Sequence, residues 1–546
     1  MEKLQDRAAK LLSEIRELSE LNGENPFKTR AYERAESVVA ACGDLERRTK
    51  AGTLTELAGI GKGISEILTE FALHGTSKIR DELQASLPPG LMELIQVPGL
   101  GPKKAKQVIE DLGIHTLAEL EYACRENRLL KLKGFGEKIQ TKVLEGIQFL
   151  KTTQDRARLV DSLPTKQEIL RVLRKTAPDA KVEPTGALRR ELEVLDRLEF
   201  LVGHPEKGVE VLKKKIEKAL QDFRKENPAT IAIDLKFAPL SQFGYEWAKT
   251  TATPEHWKAL GSPAPFDAST ETEFFKKFKI EVIPPEMRET GEEVALAKRG
   301  GLSEVLPQEG IVGIFHNHTT LSDGVATLEE MVREAQSLGY SYIGISDHSQ
   351  SAFYANGLKA DALKTQEKEI KKVQEKFPDI RIFWGVESDI LADGELDYPV
   401  SILKKFDFVI ASIHSRFKMD RDQMTDRILN AVRNPATRFL GHMTGRLILG
   451  RPGYDIDMEK IREESSKNNV AIEINANPAR LDIDWRWGSA LRKHKTLVSV
   501  NPDAHSLEGL RDTPFGVTVA RKALLPVSQV VNARSAQEVA KWLERK

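Results

Sequence analysis

From residue 311 onward the chain repeats one arrangement: a short apolar run, then side chains with metal-binding chemistry, then an amphipathic stretch. The runs are IVGIF, YIGIS, IRIFWGV, FVIASI, RFLG, VAIEI and LVSV, and helical patterns such as Leu328–Leu338 and Ala362–Phe377 lie between them. Parallel strands need a crossover that antiparallel hairpins do not, and a helix is the usual crossover. Strand–helix alternation sustained this long therefore predicts a parallel sheet or barrel.

In such barrels functional groups collect at the carboxyl ends of the strands, so residues far apart in sequence meet on one face. The first run leads into His316, Asn317 and His318, with Asp323 soon after, and the second into Asp347 and His348. The third leads to Glu387, the fourth to His414 and the fifth to His442. The sixth holds Glu473 and runs into Asn475 and Asn477, and the seventh leads to Asp503 and His505. One histidine at a strand end is more often structural than ligating. Here six of the eleven histidines recur at successive strand ends near carboxylates, whereas His74, His115, His204, His256 and His494 lack that setting and read as structural or surface residues. Imidazole and carboxylate suit Zn, Mn or Fe, and the lack of cysteine in the cluster argues against a structural zinc site. The donors exceed what one ion uses, which predicts two or three divalent ions. Such a cluster generates a hydroxide near neutral pH and clamps both oxygens of an in-line displacement at phosphorus. Arg416, Lys418, Arg446, Arg451 and Arg480 follow the ligand motifs and are candidates for holding phosphate oxygens.

FHNHTTLSDG, SDHS, GVESDIL, SIHS, GHMTGR, EINANP and PDAHS resemble the motif series of the polymerase-and-histidinol-phosphatase (PHP) domain, in the version fused to bacterial family X DNA polymerases. The resemblance implies a distorted (β/α)7 barrel with nine metal ligands, falling here on His316, His318, Asp323, His348, Glu387, His414, His442, Asp503 and His505. It further implies a trinuclear site bridged by Glu387, and a manganese-dependent 3′–5′ exonuclease with phosphatase-like activity in the wider family. His316, His318, Glu387, Asp503 and Arg446 are the residues expected to carry the reaction.

The first 155 residues read as helices, beginning with the spacing of Leu4, Ala8, Leu11, Leu12, Ile15 and Leu18. Three breaks among them look alike: LAGIGKGISEIL, VPGLGPKKAKQVI and LKGFGEKIQTKVL, with the glycine pairs Gly59/Gly61, Gly99/Gly101 and Gly134/Gly136. Each resembles a helix-hairpin-helix motif, in which glycines permit a tight turn and the N–H groups opening the second helix face a DNA phosphate. Contacts of that kind carry no base information, so gapped, nicked or 3′-ended DNA is expected to bind without sequence preference. Lys103, Lys104 and Lys106 after the second hairpin and Lys138 after the third are placed to add phosphate contacts. ENPFKTRAYERA is similar to the amino-terminal domain of family X polymerases.

Residues 156–255 mix strand patterns (Val194–Val202, Thr230–Phe237) with a helical one (Val209–Phe223), as a nucleotidyltransferase-like α+β palm would. In the family this site carries a Gly-Ser pair for nucleotide phosphates and three aspartates for Mg²⁺. Here the serine position is Ala187, the paired aspartates fall on Arg197 and Glu199, and only Asp234 remains. A one-residue slip brings Asp196 into line but sets Leu198 at the second position. The nucleotide-contact segment reads Ala-Lys-Thr-Thr-Ala, and the position of the lyase lysine in eukaryotic relatives is Ile67. The palm fold is thus expected without the means to hold Mg²⁺.

The expected organisation is a multidomain α and α/β chain. It comprises a helical domain with the first hairpin (1–88), a fingers-like domain with the other two (89–155), the palm (156–255), a Pro-, Glu- and Lys-rich thumb-like subdomain and linker (256–308) and the barrel (309–546). The expected function is a DNA-repair hydrolase acting at 3′ ends, with gap-filling polymerisation as the alternative, and a non-catalytic DNA-end binder or a small-molecule phosphatase as further readings. Charge limits the mode of binding: 82 basic residues balance 82 acidic ones. Neither the first 300 residues nor the remainder is basic in bulk, which excludes a Lys/Arg-coated DNA binder. With no apolar run near ~18 residues and only Cys42 and Cys124, the chain is expected to be a cytoplasmic, reduced monomer.

Overall fold

The computed structural model describes residues 4–544 except 41, 126, 154, 206–207 and 229. It divides into two compact units, 1–154 and 155–546. The first is helical, from Leu4–Leu21 to Glu137–Thr153. The first three residues of the expected opening helix lie outside the described ones.

The three glycine-containing breaks adopt the same turn. The leading glycine is left-handed in each (Gly59 φ +98°, Gly99 φ +92°, Gly134 φ +84°), a conformation that a Cβ disfavours. The residue between the glycines is buried each time, as Ile60, Leu100 and Phe135, and its N–H donates back to Leu57, Val97 and Leu132 at 3.0, 2.9 and 3.1 Å. The apolar residue thus plugs the unit's core while the second glycine opens the next helix: Lys62–His74, Pro102–Leu112 and Glu137–Thr153. The last two turns interlock. A Cβ on Gly146 would meet the Pro98 carbonyl at 2.7 Å, and the Lys104 ammonium sits 5.4 Å from the centre of the Phe135 ring.

The second unit begins with a small palm. Strand β1 (Ala157–Arg158) pairs with β3 (Val194–Leu195), while β2 (Lys181–Pro184), β4 (Arg197–His204) and β5 (Ala232–Pro239) form a sheet in the order β2-β4-β5. The strand expected over 194–202 is broken by a bend at Asp196. The cause is the spacing of its buried residues. Leu198, Phe200 and Val202 alternate as a strand requires, but Leu195, equally buried, is out of phase and reaches the core only through the bend. The second expected strand begins at Ala232 rather than Thr230, and the intervening helix runs Val209–Glu226. Short helices between Phe243 and Lys298 then pack their own aromatic core, with Tyr245, Phe274 and Phe275 at its centre.

Seven parallel strands follow: β6 (Gly313–Ile314), β7 (Tyr342–Ile345), β8 (Arg381–Asp389), β9 (Phe408–Ser412), β10 (Thr437–Leu440), β11 (Ala471–Asn475) and β12 (Val498–Asn501). Each expected run is one of them. Sheet order follows chain order throughout. The two ends meet just past β6 and β12, where Asn317 bridges Ala504 and His318 N donates to the Ala504 carbonyl at 2.8 Å. The result is a nearly closed barrel. Phe315, Tyr342, Phe383, Phe408 and Phe439 fill it, and Gly344 and Gly385 make room, since a Cβ on either would meet the Phe408 ring within 2.7 Å. This filled interior leaves the carboxyl-end loops as the place for chemistry.

A candidate metal centre at the carboxyl end of the barrel

The histidines and carboxylates after the seven strands converge. Ligand atoms fall within 4.8 Å of one another in four groups: His318/Asp323/His348/His505, His316/His318/Asp503, His316/Glu387/His442 and His348/Glu387/His414. Together these are the nine residues singled out in the sequence. Sharing binds the groups into one cluster, and Glu387 sits at its middle. Its Oε1 lies 3.2, 3.3 and 3.0 Å from the Nε2 atoms of His316, His414 and His442, and its Oε2 lies 3.0 Å from His348 Nδ1.

These residues fit divalent ions. Four donors about 2.1 Å from one ion in a tetrahedron stand about 3.4 Å apart, which is the range found between His316, His318 and their carboxylates (3.2–3.7 Å). A direct His–carboxylate hydrogen bond outside the centre, between His256 and Glu293, is 2.7 Å long. His316 Nε2 and both ring nitrogens of His318 are buried and, among the described residues, have no hydrogen-bond partner. Buried polar atoms are rarely left so.

The electrostatics agree. Burial alone would push the Glu387 and Asp503 carboxyls up, but His316, with His414 and His348 around Glu387 and His318 and His442 around Asp503, holds both well below the usual range. Burial pulls imidazoles down, and with His348 and His505 alongside it takes His318 down to about 3. At His414 burial is outweighed by Glu387 and Asp389, and at His505 by Asp323 and Asp503, raising them to about 10 and about 9. Without ions the carboxylates are thus balanced by protons on imidazoles, and divalent cations would take the place of those protons.

Two residues orient the histidines: Glu473, noted in the sequence at the sixth strand but given no role, and Asp389, which the sequence reading passed over. Glu473 is fully buried and accepts from His316 Nδ1 at 2.7 Å, His442 N at 2.8 Å, Asn501 Nδ2 at 3.1 Å and Asn475 Nδ2 at 3.2 Å. Asp389 accepts from His414 Nδ1 at 2.6 Å. A carboxylate on one ring nitrogen fixes the tautomer and turns the other toward an ion. Asp389 follows Glu387 by two on the same strand, which was the available signal. Asp347, noted beside His348, pins the first ligand loop by accepting from Thr319 N, Ser322 Oγ and Gln366 Nε2 at 2.7, 2.7 and 2.8 Å.

The candidate phosphate cations separate. Arg446 is committed: it donates to Asp484 and to the carbonyls of Arg480 and Leu481, so its guanidinium shapes the 480–484 loop instead of facing a ligand. Arg451 is spent on the Gly445 carbonyl. Arg480 lies 3.6 Å from Asp503, is 21 % exposed and makes no side-chain hydrogen bond among the described residues. Arg416 and Lys418 are exposed beyond His414.

Among the hairpin residues, Gly61, Gly101, Gly136, Lys103 and Lys138 are exposed, and Lys104 and Lys106 are half-buried. The helix after the third hairpin opens with Glu137, whose carboxylate disfavours an anion there. In the palm, Glu199 lies opposite Asp234 and folds back over Gly186, accepting from Ala187 N at 2.9 Å and pairing with Lys236 at 3.1 Å. That carboxylate fills the turn where the family resemblance places nucleotide phosphates. Arg197 is exposed and pairs with Asp196, while Arg189 is drawn into a bidentate pair with Glu271. The palm is fastened to the barrel at this corner: Glu193 accepts from Trp485 Nε1 at 3.2 Å and from Arg486 at 2.6 Å.

Comparison with known proteins agrees with this anatomy. Residues 5–77 match a helix-hairpin-helix domain, 91–148 a SAM-like helix-hairpin-helix tandem and 315–477 the PHP domain. A probable phosphatase of Caldanaerobacter subterraneus subsp. tengcongensis is 28% identical over 42% of this chain and 90% of its own length. One of Thermoanaerobacter sp. is 35% identical over 29% of this chain and 62% of its own. The DNA polymerase/3′-5′ exonuclease PolX of Bacillus subtilis is 33% identical over 98% of both chains. With hairpins, palm and PHP barrel in that order along its full length, the chain belongs to the family X DNA polymerases fused to a carboxyl-terminal PHP domain.

Proposed function

We propose that the protein is a DNA-binding, metal-dependent phosphodiester hydrolase that removes nucleotides from 3′ ends during repair, and that its palm no longer polymerises. The observation that carries this reading is the convergence of nine donors on one face of the barrel, beside a palm whose nucleotide turn is filled by its own Glu199. His316, His318, Asp323, His348, Glu387, His414, His442, Asp503 and His505 would hold two or three divalent ions, Mn²⁺ for activity, with Zn or Fe able to occupy the same donors. When bound, the ions supply a hydroxide and neutralise charge on the reacting phosphate. The chain's own residues do the rest. Glu473 and Asp389 keep His316 and His414 in the ligating tautomer. Arg480 would donate to a non-bridging phosphate oxygen, and Arg446 holds the loop that carries Arg480. The hairpin N–H groups take the DNA backbone without regard to sequence.

The test is incubation of the full chain with Mn²⁺ and primed or gapped DNA. Wild type should shorten 3′ ends, and His316→Ala and Asp503→Ala should abolish the product; no cleavage by wild type, or full activity in both variants, refutes the reading. Gap-filling polymerisation is favoured only by the retained Asp234 and by the name of the Bacillus relative. Primer extension that disappears in Asp234→Asn would establish it. No described helix is long and apolar enough to cross a membrane, and we read the protein as a monomer acting on cytoplasmic DNA.

A further inference from the structure

The loop leaving the ligand His348 is pinned at every turn. Ser349 N donates to the Glu387 carbonyl at 3.0 Å and Leu358 N to that of His348 at 2.8 Å. Ser351 donates through N to Asp397 at 2.6 Å and through Oγ to Asp389 at 3.0 Å, the carboxylate that orients His414. The loop's two arms approach so closely that a Cβ on Gly357 would stand 1.9 Å from the Ser349 carbonyl oxygen. Ala352 and Ala355 are wholly buried beneath it. On this rigid base Phe353 is 85 % exposed, the most exposed of the large apolar side chains described.

A single exposed apolar residue needs no explanation by itself. Phe353 differs in position: its loop starts at His348 and is tied to His414 by two hydrogen bonds, Ser351 to Asp389 and Asp389 to His414. His348, where the loop begins, lies 6.2 Å ring to ring from His505 and 5.1 Å from His414. His505 is the most exposed of the histidine ligands, at 39 %, so this is the open side of the cluster. A polymer substrate would reach the cluster from that side. An aromatic face offers no hydrogen bond and therefore no sequence preference, but any base can stack on it.

We propose that Phe353 is a stacking platform for a nucleobase at the 3′ end, holding the terminal nucleotide in line with the metal cluster and setting a preference for ends that carry a base. This rests on the nuclease reading above. The ligand chemistry is a single-stranded terminal base. An apolar segment of another protein is the competing occupant.

Binding and turnover together test it. Single-stranded DNA with 2-aminopurine at its 3′ terminus is titrated with full-length protein in EDTA, so that no cleavage intervenes. Wild type should quench the fluorescence on binding; Phe353→Ala and Phe353→Leu should not, and Phe353→Trp should restore quenching. With Mn²⁺, replacing the terminal nucleotide by an abasic one should raise KM at least about five-fold in wild type and scarcely at all in Phe353→Ala, with kcat less affected than KM. An unchanged Mn²⁺-induced shift in melting temperature shows the variant's cluster to be intact. Quenching that persists in Phe353→Ala and Phe353→Leu, or an abasic penalty equal in wild type and Phe353→Ala, overturns the proposal while leaving the nuclease reading standing. Failure of wild type to bind or cut DNA overturns both.

Discussion

Glu473→Gln tests the logic of the centre more sharply than removal of a ligand, because it exchanges one oxygen for an NH₂ group and changes almost no volume. The carboxylate accepts four hydrogen bonds in a site with no access to solvent. A glutamine has one oxygen for two donors, and its NH₂ must face the other two. Each buried donor left unmet costs about 1–3 kcal/mol, more where the lost acceptor was charged, so the metal-free fold should lose about 3–5 kcal/mol. Turning the amide oxygen toward His442 N and Asn475 points the NH₂ at His316 and drives its proton from Nδ1 to Nε2, the nitrogen aimed at Glu387 and Asp503. A protonated Nε2 cannot bind an ion. Loss of such an orienting partner costs roughly 10- to 100-fold in metal affinity, and urea denaturation with Mn²⁺ titration measures both effects. A variant that binds Mn²⁺ within two-fold of wild type at unchanged stability would refute the assignment of Glu473 as the residue that fixes His316.

Three further outcomes are expected. His414 and His505, held near 10 and 9 without ions, must shed their protons to ligate, so Mn²⁺ affinity should rise about tenfold or more per pH unit between pH 6 and 8 with proton release; calorimetry in buffers of different ionisation heat reads this, and a flat profile contradicts it. At Glu271 burial is outweighed by Arg189 and Arg288, taking the carboxyl down to about 2; because the folded value lies below the unfolded one, its contribution of about 3 kcal/mol is present above pH 4.5 and lost as pH falls toward 2. Glu271→Gln should destabilise the protein by about 3–5 kcal/mol at pH 7, with the gap closing in acid denaturation curves; a pH-independent gap would discount the ion pair. Finally, hairpins that bind through N–H groups should give a shallow salt dependence of DNA affinity, and a slope equivalent to about eight or more phosphates neutralised would show that side-chain cations dominate instead.

The sequence determined much of this protein. Short continuous apolar runs set the seven strands, and the turn chemistry at Gly59, Gly99 and Gly134 set the hairpins, because both are local: neighbours along the chain carry the whole signal. The convergence of the candidate ligands was legible for a related reason, since parallel strands present their carboxyl ends to one side and leave few alternatives for the residues that follow. What partners a side chain takes was not legible. Glu473 reads as one more acidic residue beside Asn475, and only closure of the barrel brings His316, His442 and Asn501 around it. Arg446 and Arg480 look equivalent in sequence, yet folding spends the first on Asp484 and leaves the second facing Asp503. Glu199 reads as a missing aspartate, but the β4–β5 register and the turn at Gly186 make its carboxylate the acceptor for Ala187 N. Those distinctions rest on contacts between residues tens to hundreds of positions apart, and such contacts exist only once the tertiary structure has closed.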